Sequence, residues 1–283
     1  MYEPECIDVL NYTVDKFMPD PKILSMIKSS NITNLINYYQ INNHLDIFNI
    51  LKYLAAIDHI NIFMTIIEKI KIDITDQDNI LICIAAANKS YLIAEFLINN
   101  NIDVTAKDNF AIKIASGGMN YDFIKLLIDH GADIHASNDY PLRYAICVKH
   151  YDVVKYLIEL GANVNVLNGY PLKCAVYKAD ELIIKLLLNS GTNINVLDKK
   201  DLIPAIRLGK YEIVKLLINN GVKYDIINDF TSPENNIKQM FQLLIENNVD
   251  LLKLALIIFD DQPDNRNAEW RRELWIRQNS QFN

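Results

Sequence analysis

Three cations, Lys113, Arg143 and Lys173, stand thirty residues apart, and an aromatic residue, Phe110, Tyr140 or Tyr170, precedes each by three. Cationic and aromatic side chains in one strip can form a groove for an acidic, extended peptide, with arginine and tyrosine as its anchors. The same two rows can instead hold a turn, with the aromatic over a neighbouring segment and the cation on a backbone carbonyl. Other chemistry is sparse. The five histidines, His44, His59, His130, His135 and His150, lack a ligand spacing such as HExxH, and the four cysteines, Cys6, Cys83, Cys147 and Cys174, include no CxxC pair that could complete a zinc site. Gly117 and Gly118 form an isolated doublet, well short of a phosphate-binding loop. Acids such as Asp103 and Asp133 recur in register, so each has like surroundings, whereas acid–base catalysis needs two groups whose pKa values are driven apart. The chain is therefore not expected to be an enzyme: no catalytic residue, no metal site and no cofactor.

The elements that carry these rows repeat with the same period. Gly131, Gly161, Gly191 and Gly221 are also thirty apart, and residues 121–150 align with 151–180 position by position. Leu127, Leu157 and Leu187 fall in one row and Ala145, Ala175 and Ala205 in another. Upstream, Leu97, Asp103 and Ala115 keep phase, then Ile67, Asp73 and Ala85, and Pro21 matches Pro141 and Pro171. The register runs from about residue 21 to about 226. Val153, Val154, Leu157 and Ile158 have the spacing of one buried helix face. Asp122, Asp152 and Glu212 lie in the first turn of that helix and the glycines follow its end, the arrangement that helix termini favour. A second, shorter helix starts at Pro141 or Pro171, where a missing N–H costs little. Each unit thus reads as two short antiparallel helices and a turn. Pro204, inside a first helix, predicts a late start and a weak point there.

The stretch YPLRYAICVKHYDVVKYLIELGANVN (140–165) resembles the ankyrin repeat, and the resemblance covers roughly residues 21 to 230. It implies an all-α, ankyrin-type solenoid of stacked helix–turn–helix units, and a structural role for His150 between helices. Two departures stand out. The unit is three residues shorter than the family's thirty-three, which shortens the hairpin finger between units. Phe110, Tyr140 and Tyr170 replace the family's threonine and Lys113, Arg143 and Lys173 its histidine, so the usual hydrogen bond between those two cannot form. This thirty-residue variant resembles the ankyrin arrays of giant amoeba-infecting viruses. By the same resemblance the partner surface is the concave face built from finger tips and first helices. The tips are Asp76 to Asn79; Lys107, Asp108 and Asn109; Ser137, Asn138 and Asp139; Leu167 and Asn168; and Asp198, Lys199 and Lys200. With Lys113, Tyr140, Arg143, Tyr170 and Lys173 they make up the candidate partner-binding residues.

The net charge of −7 over 283 residues, with cations recurring singly, argues against nucleic-acid binding. The lack of a run of eighteen apolar residues argues against a membrane span. Scattered cysteines suit buried thiols in a reducing compartment, so an intracellular, cytoplasmic monomer is expected, in the host cytoplasm if the protein is viral. Four segments are expected: an N-terminal cap (1–20), an array of about seven units (21–230), a divergent capping repeat (231–260) and a tail with a short amphipathic helix (261–283). The implied function is a non-catalytic protein–protein interaction scaffold. Two narrower roles stay open, the substrate adaptor of a ubiquitin ligase and the inhibitor of a host enzyme. The single helix expected after residue 260 speaks against the helical bundle an adaptor would need.

Overall fold

The period-thirty pattern becomes helical hairpins in a computed structural model, which describes residues 12–41, 47–75, 79–118, 121–198, 201–202, 205 and 210–222. The helices are α1 (Pro21–Lys28), α2 (Ile32–Ile41), α3 (Ile47–Ala56), α4 (Ile60–Ile70), α5 (Ile80–Asn88), α6 (Tyr91–Asn99), α7 (Ala106–Gly117), α8 (Tyr121–Asp129), α9 (Ala136–Cys147), α10 (Tyr151–Glu159), α11 (Val166–Tyr177), α12 (Glu181–Asn189) and α13 (Tyr211–Asn219). Among the described residues there is no strand. The expectations for Asp76 to Asp78, Lys199, Lys200, Pro204, the capping repeat and the C-terminal tail lie outside the described residues.

The chain divides into two compact units, one up to Ala162 and one from Asn163 onward. In the first, five hairpins stack side by side, with α3, α5, α7 and α9 as inner helices in contact and α2, α4 and α6 in an outer row. In the second, α11 pairs with α12, and α12 packs against α13. The predicted core rows are the core: Leu97, Leu127, Leu157, Leu187 and Leu217 are fully buried, as are Ala85, Ala115, Ala145, Ala175 and Ala205. Alanine in that row lets helices approach closely, and leucine fills the space between a hairpin and its neighbour.

Helix ends follow the local chemistry. Pro21 opens α1, and the Asp20 carboxylate accepts from Lys22 N at 2.8 Å, capping an otherwise free N–H. The four periodic glycines all sit at positive φ, between 84° and 97°. Asn101 (φ 63°) and Lys71 (φ 56°) adopt the same left-handed conformation one and two repeats earlier. Asp73, Asp103, Asp133, Asn163 and Asn193 each accept from the backbone N–H two residues on, at 2.8–3.0 Å. This is an Asx turn repeated five times, and it explains why the row needs Asp or Asn.

The register is less regular at the start than the sequence suggests. From α6 onward outer helices begin thirty residues apart, but α4 starts thirty-one residues before α6, and α3 thirty-three before α5. Ile66 (0% exposed) therefore fills the core position, while Ile67 is only half-buried. Asp58, at the α3–α4 turn, reaches into the next repeat and accepts from Ile93 N at 3.0 Å, capping α6 from outside.

Candidate functional site

The three fingers described in full contain no extended hairpin. Each of α7, α9 and α11 is broken near its start by three successive residues in the left-handed region: Lys107, Asp108 and Asn109; Ser137, Asn138 and Asp139; Leu167, Asn168 and Gly169. Each turn is closed by a backbone bond to the residue four earlier: Asn109 N to Thr105 O at 2.8 Å, Asp139 N to His135 O at 3.1 Å and Gly169 N to Asn165 O at 3.1 Å. One left-handed turn is what remains of the finger once three residues are removed. Its preference for Asn, Asp and Gly follows, because these residues tolerate positive φ best.

Two of the three cations are spent on these turns. Arg143 donates from Nε to Asn138 O (3.0 Å) and from Nη2 to Ser137 O (2.9 Å). Lys113 Nζ donates to Asp108 Oδ2 and to Ser137 Oγ, each at 2.5 Å, and Ser137 Oγ in turn donates to Asp108. These bonds, the one from Lys113 foremost, hold the Asp108 carboxyl below the usual carboxylate range. The Tyr140 ring has the Lys113 ammonium 6.0 Å and the Arg143 guanidinium 5.3 Å from its centroid, a cation–π arrangement on one aromatic. Lys113, Arg143 and Tyr140 are 7%, 9% and 7% exposed. In the second unit Lys173 lies 3.7 Å from the fully buried Asp201. In the first unit, the turn that the missing threonine–histidine bond leaves open is thus held by a cation from the helix it introduces.

Burial separates the candidate residues into two groups. Lys107, Asp108, Asn138 and Asn168 are exposed, whereas Asn109, Asp139, Lys113, Tyr140 and Arg143 are buried, and Tyr170 and Lys173 are half-buried. Among the tips named for the finger edge, Leu167 is 52% exposed. The buried third residue of the first finger ties two repeats together, Asn109 Oδ1 accepting from Asp133 N at 2.7 Å, whereas Asp139 Oδ1 meets His135 Nδ1 of its own finger at 2.8 Å. Lys107 and Asp108, Asn138, and Leu167 and Asn168 are exposed, whereas Ser137 is half-buried. Lys199 and Lys200 lie outside the described residues.

The remaining chemically active groups are structural. Burial pushes the Cys83 thiol up to about 12, which keeps it protonated; Cys147 and Cys174 are also buried thiols. Burial and the Lys89 ammonium lower the His150 imidazole below its ordinary value, against the opposing pull of Asp152. Gly117 packs so closely on the Tyr144 ring that a Cβ would lie 2.0 Å from Cε1. Among the described residues, no three His, Cys, Asp or Glu side chains gather as a metal site, and no helix is long and apolar enough to cross a membrane.

Arg143→Ala should cost about 1.5–3 kcal/mol, the range for hydrogen bonds from a charged donor, because two turn carbonyls lose it. Arg143→Lys should recover only part of that, since an ammonium cannot reproduce the planar fork. Chemical denaturation of the two variants checks this; an unchanged midpoint for Arg143→Ala would show that the turn holds without its cation.

Helical hairpins stacked in register and joined by fingers define an α-helical repeat protein. Residues 82–168 match the family model for ankyrin repeats, in three copies. No curated protein matches the chain. Among solved structures, the ankyrin repeat domain of Bcl-3, described as a unique member of the IkappaB protein family, is similar at a TM-score of 0.53. The likeness covers 69% of this chain and 97% of that one at 16% identity, and it speaks for the fold alone. The chain carries ankyrin repeats and has the all-α fold of an ankyrin-repeat solenoid.

Proposed function

We propose that the chain is a non-catalytic scaffold that binds a partner protein through the exposed finger residues and inner-helix face of the unit up to Ala162. Ankyrin repeats generally mediate protein–protein interactions. One observation carries the reading further: in the first unit the cations Lys113 and Arg143 hold the finger turns, while the side chains of Lys107 and Asn138 are exposed. Lys107 is held at positive φ at a conformational cost of about 1–2 kcal/mol, and it is exposed. Strain kept at an exposed, variable position supports a role in recognition.

The test replaces Lys107 and Asn138 by Gly, which removes both side chains and keeps the left-handed turn accessible. Affinity capture from cell lysate compares this variant with the unmodified chain. A protein held by the unmodified chain and lost from the variant, at unchanged melting temperature, supports the finger surface. The same protein retained in full by both would place the contact elsewhere.

A further inference from the structure

The inner-helix face of the first unit already has an occupant. The 3-10 turn Val14–Phe17 packs on α3, and just before it Tyr12 lies across the next two inner helices. Asn88, at the end of α5, donates from Nδ2 to Tyr12 O at 2.6 Å as well as to Ile84 O at 2.9 Å. The Tyr12 ring meets Phe110 of α7 with centroids 5.8 Å apart and planes inclined by 58°. Its hydroxyl is raised in pKa first by burial and then by the neighbouring Cys83 thiol, and lowered by the Lys107 ammonium of the finger. One short segment therefore touches three successive repeats and approaches a finger residue assigned above to recognition.

That segment is held lightly. No residue of the 3-10 turn is buried, Tyr12 is half-buried, and Met18 next to the turn is 53% exposed. Among the described residues, Tyr12 is attached by one ring contact and one hydrogen bond from a side chain. The groove between α5 and α7 thus offers two things to an extended chain: the Phe110 ring for an aromatic side chain, and the Asn88 amide for a main-chain carbonyl.

We infer that the segment around Tyr12 is an intramolecular occupant of the partner face, and that the partner is an extended protein segment that displaces it by presenting an aromatic side chain to Phe110 and a main-chain carbonyl to Asn88. The inference rests on the reading that this face receives a partner. Occupation by the chain's own segment lowers apparent affinity by the fraction of molecules in which the groove is open, so loosening the segment raises it.

The test uses a fluorescently labelled peptide with the sequence of residues 12–20, titrated with the full chain and its variants. Tyr12→Ala, which weakens the chain's own hold, should bind the peptide roughly tenfold more tightly than the unmodified chain. Tyr12→Phe keeps the ring and should behave as the unmodified chain does. Adding Asn88→Ala to Tyr12→Ala should weaken peptide binding again, and a peptide with Ala in place of its tyrosine should not bind. Equal affinity for Tyr12→Ala and the unmodified chain, or no binding to either, overturns the inference. An unchanged helical melt for Tyr12→Ala guards against unfolding, since Tyr12 is not part of the core. If the captured partner is still lost on changing Lys107 and Asn138 to Gly while the peptide shows no preference, only the occupant fails. A partner retained by that double variant overturns the underlying reading instead.

Discussion

Phe123→Ala is expected to remove about 3–5 kcal/mol of stability, the range for deleting a fully buried phenylalanine. Phe123 is 0% exposed on α8 and ranks among the largest fully buried side chains. Its ring meets Tyr91 of α6 with centroids 5.5 Å apart, so the substitution empties the seam between two outer helices as well as the interior of one hairpin. Natural domains are stable by only about 5–15 kcal/mol, which makes this a large fraction of the total. Stacked repeats draw stability from nearest neighbours, so hydrogen exchange should quicken most in α6 and α8. A loss below about 1 kcal/mol by denaturant titration would mean that this seam does not hold the stack.

Gly169→Ala is expected to cost about 2–4 kcal/mol, the sum of a conformational and a steric part. The conformational part comes from a φ of 75°, where a side chain is strained. The steric part is larger than at any other left-handed glycine described: a Cβ would lie 2.3 Å from Val196 Cγ2 and 2.9 Å from Val196 Cβ. Gly161 serves as the control, since its φ is 97° and nothing lies within 4 Å of an added Cβ. Gly161→Ala should therefore cost about 1–2 kcal/mol, from strain alone. Val196→Ala should restore part of the loss at Gly169 and none of the loss at Gly161, because contacting residues couple and distant ones add. Equal costs for the two glycine substitutions would remove the steric account.

Much of the fold was legible because stacking repeats one demand. A leucine that faces the core in one hairpin does so in the next, so Leu127, Leu157 and Leu187 declare one another. The row of Asp and Asn from Asp73 to Asn193 was legible as a turn, and its Asx geometry gives the reason. The pattern failed where tertiary packing could absorb an extra residue. At α4 the one-residue excess moves Ile66 into the core in place of Ile67, and the missing glycine at Lys71 and Asn101 hides a left-handed position that both residues nonetheless adopt. A cost of about 1 kcal/mol for positive φ is small beside the burial of a whole hairpin face.

The candidate site was legible as a set of rows but not as a surface. The sequence determined that a cation and an aromatic recur at the start of three successive first helices and that a short finger precedes them. Only the tertiary structure decided which way those side chains turn. Arg143 and Lys113 go into the left-handed turns because the turn carbonyls, the Ser137 hydroxyl and the Asp108 carboxylate give their charged donors acceptors there, and hydrogen bonds from a charged donor are the stronger ones. The contact of Tyr12 with Asn88 and Phe110 likewise spans residues far apart in the chain, and no repeat, spacing or local propensity encodes it. Periodicity reports what every repeat must share, whereas a surface and its occupant depend on contacts made once.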